Sequence, residues 1–342
     1  MSYFSVTSYI QNHSKKGFTS VTDVRRRSKK NSDYIRAIEI AAAGSHNILL
    51  KGPPGAGKTL LARTLPSILP NPTFDEALEI TKIYSISGLL DKKSIVTKRP
   101  FRNPHHTTSH IGLIGGSANP KPGEISLAHR GVLFLDEFPE FPRQVLEALR
   151  QPMEDGHVTI SRANGRITFP AKFMLFAAQN PCPCGFLGDK KHECKCSPSQ
   201  VIRYQKKISG PMLDRIDIHL EVPAVKLEKL TEDDKIKGES SKDIRKRVQK
   251  ARDLQTRRLK GKKITSNSEM STKEIKEFCF PLSDDSVSLL KAAVSKMNLS
   301  ARSYYRTIKI SRTIADLEGS VTIKTHHIAE ALQYRARNEN LF

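Results

Sequence analysis

Residues 52–59 read Gly-Pro-Pro-Gly-Ala-Gly-Lys-Thr, preceded by the apolar run Asn47-Ile48-Leu49-Leu50 and followed by Leu60-Leu61-Ala62. The short apolar run reads as a buried strand and the segment after it as a helix, so GPPGAGKT is the turn between them. It matches GxxxxGK[ST] in full, with Gly52, Gly57, Lys58 and Thr59 at the required places. Glycines permit positive φ, which turns successive backbone N–H groups inward, and the following helix start adds partial positive charge at the same point. Such a loop is an anion hole for phosphates. Lys58 is expected to reach the β- and γ-phosphates and the Thr59 hydroxyl to hold Mg²⁺, with Pro53, Pro54, Gly55, Ala56 and Leu60 completing the nucleotide-binding set. The alternative, a glycine-rich turn without a ligand, fits the strand, loop and helix order poorly.

Length and composition set the bounds. A chain of 342 residues can hold two domains with real cores. Hydrophobic residues at 37% are interspersed with charged residues at 27%, and no apolar run approaches the ~20 residues that span a bilayer. Residues 1–20 lack the apolar segment of a secretory signal, which places the expected compartment in the cytoplasm, with no membrane association. Lys and Arg number 57 against 35 Asp and Glu, a formal charge of +22 that favours a polyanionic partner over a merely basic surface. In such a compartment five cysteines point to thiols or metal ligands before disulfides.

Along the chain, residues 1–33 are basic and poorly patterned and are expected to form a mobile arm or tail. Tyr34 to Ala43 carries a helical pattern stopped by Gly44. The helix after the loop should end or bend at Pro66. Strand-like runs recur at Val132 to Leu135, Phe173 to Ala178 and Ile216 to Val222, the rhythm of an α/β domain spanning 34–225. A long Pro-, Gly- and His-rich stretch, Arg99 to Gly123, interrupts it, and long loops inside compact domains are usually functional. His157 to Phe169 alternates around Asn164-Gly165 and predicts a projecting β-hairpin with Arg162 and Arg166 near its tip. Residues 226–263 read as a basic linker with an exposed helix, Asp243 to Leu259, and 264–342 as a smaller helical domain.

Two further segments carry the chemistry. Gly131-Val132-Leu133-Phe134-Leu135-Asp136-Glu137 is an apolar strand ending in two carboxylates. Asp136 is expected to hold Mg²⁺ through its water shell and Glu137 to orient the attacking water, because phosphoryl transfer depends on positioning and charge stabilisation. The strand from Phe173 ends in Gln179-Asn180, where a polar side chain at the sheet's carboxyl edge can position that water. A turn role for Asn180 before Pro181 is the alternative.

The segments IEIAAAGSHNILLKGPPGAGKT, RPFRNPHHTTSHIGLIGGSANPKPGEISLAHRGVLFLDEFPEF, ISRANGRITFPAKFMLFAAQNPCPCG, ISGPMLDRIDIHLEVP and LSARSYYRTIKISRTIADLEG resemble the ComM/YifB group of magnesium-chelatase-like AAA+ ATPases. The resemblance implies a P-loop NTPase fold with a parallel sheet flanked by helices and a helical lid, hydrolysing ATP with Mg²⁺. By position it implies that Asn180 is the sensor 1 residue, Arg215 the arginine finger that reaches a neighbour's γ-phosphate, and Arg302 the sensor 2 arginine of the lid, which with the P-loop, Asp136, Glu137 and Asn180 makes up one chain's half of the site. It also implies a homo-oligomeric, hexameric ring whose pore is lined by the Asn164-Gly165 hairpin and the 99–123 insertion. A trans arginine neutralises charge that develops only in the transition state and is worth ~10³ to 10⁵ in rate. Without the resemblance, Arg215 reads as a salt-bridge partner of Asp214 or Asp217, and Arg302 as an exposed residue at a helix start. Members of the group usually carry an N-terminal Lon-protease-like domain, whereas here residues 1–33 precede the motor. Asp23-Val24-Arg25-Arg26-Arg27 stands where the group usually has a Gly-Gln pair near the adenine.

Arg162, Asn164 and Arg166 beside a tight turn suit contact with a nucleic-acid backbone better than sequence readout. Cys182-Pro183-Cys184 and Cys194-Lys195-Cys196 offer two close thiol pairs, either ligands of a structural zinc or four reduced thiols. Cys279 reads as core. His105 and His106 read as shaping the insertion or touching a substrate. Three functions are compatible with these features: an ATP-driven motor on single-stranded or branched DNA, resembling a branch-migration helicase that integrates incoming strands; a chelatase-like motor that remodels a protein partner; and a nucleotide-gated DNA-binding module with a dead site.

Overall fold

A computed structural model describes residues 31–90, 95–116, 120–162, 165–189, 192–223 and 239–335. Residues 1–30 of the expected N-terminal arm with its near-adenine segment, Asn164, and residues 226–238 of the expected linker lie outside the described residues, as does the side chain of Arg162.

Helix α1 (Asn31–Gly44) leads into strand β1 (Ile48–Lys51), the loop, and helix α2 (Lys58–Thr64). At Pro66 the chain tightens into a 3₁₀ turn, Leu65–Ser67, because proline supplies no N–H for a continuing α-helical ladder. Helix α3 (Phe74–Ile86) starts at a capping box, in which the Thr73 hydroxyl accepts from Glu76 N–H and the Glu76 carboxylate accepts from Thr73 N–H. The 99–123 stretch supplies strand β2 (Phe101–Arg102), short helix α4 (His110–Ile114) and a small ribbon of β3 (Gly115–Gly116) with β4 (Lys121–Pro122). Helix α5 (Glu124–Leu127) and strand β5 (Val132–Leu135) follow, then helices α6 (Arg143–Ala148) and α7 (Arg150–Asp155). Strands β6 (His157–Arg162) and β7 (Gly165–Pro170) form the hairpin, and β8 (Met174–Gln179), helices α8 (Pro198–Gln205) and α9 (Gly210–Leu213) and strand β9 (Ile218–Glu221) complete the domain.

The main sheet has five strands in the order β2-β5-β8-β1-β9, all parallel. Successive side chains of a strand point to opposite faces, and here both faces are covered. Ile48, Leu50, Phe134 and Phe176 enter one core with α1, while Leu49, Leu133, Leu135 and Leu175 enter the other with α5 and α6. That is why the strands read as unbroken apolar runs. Phe134 is fully buried, with the rings of Phe101 and Phe176 at 6.0 and 5.8 Å. The hairpin pairs Ile160 with Ile167 and Ser161 with Arg166, and it is rooted: Val158, Ile160 and Phe169 are buried in the second core.

The second domain holds helices α10 (Ser241–Arg258), α11 (Thr272–Cys279), α12 (Asp284–Met297), α13 (Ala301–Leu317) and α14 (Thr325–Gln333). Its own core is built from Met270, Ile275, Leu290, Ile308 and Ile328, with Cys279 buried among them. Helix α10 corrects the expectation of an exposed helix. It packs on α1 and α13 and buries Ile244, Val248 and Ala251 in the main core. Those residues form a single stripe on an otherwise basic helix, and the long charged side chains around it hide that stripe from a compositional reading. Arg252, also buried, donates to the Ala42 and Ala43 carbonyls and to Ser45 Oγ, closing the C-terminus of α1. Among the described residues no helix is long and apolar enough to cross a membrane.

Candidate nucleotide site

Parallel pairing of β1, β5 and β8 brings three sequence-distant segments to one edge of the sheet. The loop after β1, the Asp-Glu pair after β5 and Asn180 after β8 all emerge at the strands' carboxyl ends. Gly55 and Gly57 hold φ of 74° and 82°, the left-handed region that glycine enters without steric cost. Lys58 is buried, and its Nζ donates to the carbonyls of Gly52 (2.7 Å) and Pro53 (2.8 Å) and to Asn180 Oδ1 (3.1 Å). Burial lowers the pKa of this ammonium while the nearby Asp136 carboxylate works against that shift.

Thr59 Oγ1 donates to Asp136 Oδ2 at 2.7 Å, so the hydroxyl and carboxylate that would hold Mg²⁺ already face each other. Asp136 also accepts from the Glu137 N–H at 3.0 Å. Glu137 has φ 51° and ψ 44°, a left-handed conformation that costs a non-glycine residue roughly 1–2 kcal/mol, and its carboxylate is half-exposed. The buried Phe138 and Pro139 of the next turn hold it there. His106 Nδ1 lies 3.1 Å from Glu137 Oε2, and its ring meets Phe141 edge-on. Nothing in the sequence connects His106 with Glu137. The signal was limited to its place in an unusually long insertion, because no local pattern reveals which carboxylate a loop histidine will meet.

The arginines lie elsewhere. Arg215 precedes β9, and Asn47, which precedes β1, donates from its side chain to the Arg215 carbonyl at 3.1 Å. Both therefore sit at the amino edge of the sheet. The four residues of β1, at about 3.3 Å each, separate that edge from the loop by at least about 10 Å. Arg215 is buried and pairs with Glu154 at 2.5 Å, not with Asp214 or Asp217, and its Nη1 donates to the Pro211 carbonyl at 2.6 Å. Arg302, 59% exposed at the start of α13, lies 3.7 Å from the same Glu154. The lid is anchored at this edge by Arg306 on Asp217 (2.8 Å) and by Thr313 on His46 (2.8 Å). Arg302 thus stands with Arg215 and apart from the P-loop of its own chain, contrary to an arrangement in which it completes that loop in cis.

The four cysteines come together although two pairs are separated in sequence. Sγ of Cys182 is 3.4 Å from Cys184 and 3.6 Å from Cys194, and Cys184 is 3.6 Å from Cys194. All four sulfurs lie within 4.8 Å of one another. Sulfurs bound tetrahedrally at about 2.3 Å from one zinc ion would be about 3.8 Å apart, so the cluster fits such an ion. Backbone N–H groups of Leu187 and Cys184 point at the Cys182 and Cys196 sulfurs. The Phe186 N–H is foremost in lowering the Cys184 thiol, whereas at Cys194 and Cys196 the backbone N–H groups they accept from are outweighed by burial and the adjoining thiols, which push both up, so without a metal the cluster shares its protons unevenly. Of the expected nucleic-acid contacts, Arg166 is exposed on β7 near the hairpin tip.

Comparison with known proteins agrees with this architecture. The family model for magnesium chelatase subunit ChlI matches residues 25–230, and the model for the C-terminal part of that subunit matches residues 238–335. Competence protein ComM of Haemophilus influenzae is 48% identical over 88% of this chain and 58% of its own length. The uncharacterized YifB proteins of Salmonella typhimurium and Escherichia coli are each 44% identical over the same shares. The chain therefore spans a little under three-fifths of the length of these relatives. With the parallel sheet, the GPPGAGKT loop and the helical second domain on one chain, the protein belongs to the magnesium chelatase ChlI family of AAA+ proteins, in the ComM/YifB group.

Proposed function

We propose that the chain is a Mg²⁺-dependent ATPase that works as a motor on DNA. The observation that carries the reading is the convergence of Lys58, Thr59, Asp136, Glu137 and Asn180 on one sheet edge, with Thr59 on Asp136 and Asn180 on Lys58. Loop N–H groups and Lys58 bind the phosphates, which compete for the ammonium with the Gly52 and Pro53 carbonyls. Thr59 and Asp136 would hold the ion, which would supply neutralisation of the phosphate charge. Glu137 orients the attacking water and accepts its proton, and Asn180 sets that water and the γ-phosphate relative to Lys58.

Because Arg215 and Arg302 face away from this edge, we read both as acting on a neighbouring subunit's nucleotide, which requires a homo-oligomer; a closed hexameric ring satisfies that with one repeated interface. The formal charge of +22, the exposed Arg166 and the similarity to a competence protein support DNA as substrate. Zinc at Cys182, Cys184, Cys194 and Cys196 completes the cofactor set as a structural ion. The test is ATP turnover with and without single-stranded DNA across protein concentration. The reading expects stimulation by DNA and a steep concentration dependence. Turnover that is absent at every concentration leaves a nucleotide-gated binding module, and turnover indifferent to DNA favours a motor that remodels a protein partner.

A further inference from the structure

The cysteine cluster is not an appendage remote from the chemistry. It begins two residues after Asn180, whose Oδ1 holds Lys58, and its first turn lies on the P-loop. Gly185, at φ 85°, closes that turn by donating to the Cys182 carbonyl at 3.0 Å. A Cβ on Gly185 would fall 2.6 Å from Pro54 Cδ and 2.7 Å from Pro54 Cγ, so the Gly185 backbone meets the Pro54 ring at a distance only glycine allows. From the other side Gln205 of α8 donates to the Pro181 carbonyl at 3.1 Å, and Cys182 is fully buried. Residues 180–185 are thus a rigid span, with prolines at 181 and 183, wedged between α8 and the phosphate loop.

We propose that this loop is a metal-set strut for the nucleotide site: zinc on Cys182, Cys184, Cys194 and Cys196 holds Gly185 against Pro54 and Asn180 against Lys58, so that metal occupancy and nucleotide affinity rise together. The proposal rests on the zinc and nucleotide readings above. With the ion in place, four thiolates that would repel one another are drawn to one centre, and the turn carrying Gly185 is fixed. Without it the turn loosens, Pro54 loses its backing, and the Asn180 side-chain oxygen Oδ1 is no longer held in register with the Lys58 ammonium. Coupling between two binding sites is reciprocal, so nucleotide must tighten zinc by the same factor that zinc tightens nucleotide.

The experiment uses the full chain purified under reducing conditions with zinc supplied. Metal content is read by mass spectrometry, nucleotide affinity by fluorescence of a methylanthraniloyl-ATP probe with Mg²⁺, and fold by circular dichroism, before and after chelation and after zinc is returned. We expect about one zinc per chain, a 5- to 150-fold (~1–3 kcal/mol) loss of probe affinity on stripping, and recovery on reloading. Saturating probe should slow zinc release to a chelator. Gly185→Ala separates contact from ligation: all four thiols remain, so it should retain zinc yet bind the probe more weakly. Zinc that strips and reloads with probe affinity unchanged and fold intact overturns the strut and leaves the zinc reading standing. A chain that binds the probe normally but never holds zinc overturns both. A zinc-loaded chain that does not bind the probe overturns the nucleotide reading and the strut with it.

Discussion

Replacing Arg215 with alanine tests whether the site is shared between subunits. Its guanidinium is buried against Glu154 at the amino edge of the sheet, and β1 separates that edge from its own P-loop by at least about 10 Å. A trans arginine contributes ~10³ to 10⁵ in turnover, about 4 to 7 kcal/mol of transition-state stabilisation. The cost to folding should be far smaller, on the order of 1 to 2 kcal/mol, because Glu154 is 43% exposed and water can replace its partner. Arg215→Ala should therefore remain folded, bind nucleotide and turn over at least a thousandfold more slowly (~10³). Lys58→Ala, which leaves Arg215 intact but weakens the phosphate loop, should be equally inactive. Mixed at equal concentrations, the two variants create interfaces in which an intact P-loop meets an intact arginine. Random assembly makes about a quarter of interfaces complete, so activity should return to a comparable fraction of wild type. Two results would refute the reasoning: Arg215→Ala with wild-type turnover, or a mixture without recovery in which differently tagged variants are shown to co-assemble.

Three further outcomes follow from the same geometry. Asn180→Ala should lower kcat by about 10²-fold, the range for losing one preorganised polar group, with a smaller change in nucleotide affinity, as read from steady-state kinetics. Acid should loosen the contact between the domains. Burial raises the Glu269 pKa, but Arg130 and Lys172 outweigh it and hold the carboxyl at about 2 against an ordinary 4.5. A depressed folded pKa means that the stabilisation is present above about pH 4.5 and is lost as pH falls toward about 2. At most about 3 kcal/mol is at stake, and Glu269→Gln should remove that part of the slope in urea-denaturation series between those limits. Phe134→Ala, by emptying a fully buried site between two rings, should cost roughly 3 to 5 kcal/mol in the same assay.

The sequence alone determined whatever depends on neighbours along the chain. GPPGAGKT can be read because its function lies in consecutive backbone N–H groups, and β5 because a buried parallel strand is apolar throughout and ends where the carboxylates begin. The two cysteine pairs are legible as candidate ligands for the same reason, and the hairpin because Asn-Gly supports one kind of turn. Tertiary structure decided which distant groups meet. His106 reaches Glu137, Gly185 lies on Pro54, and Arg252 closes α1, pairings with no sequence periodicity to announce them. It also showed that α10 is packed and that the lid grips the amino edge of the sheet, which carries Arg302 to Glu154 and away from its own P-loop. The physical reason is that charge pairing and close packing depend on distance in space, and a chain that folds its strands in parallel brings together residues that no local pattern connects.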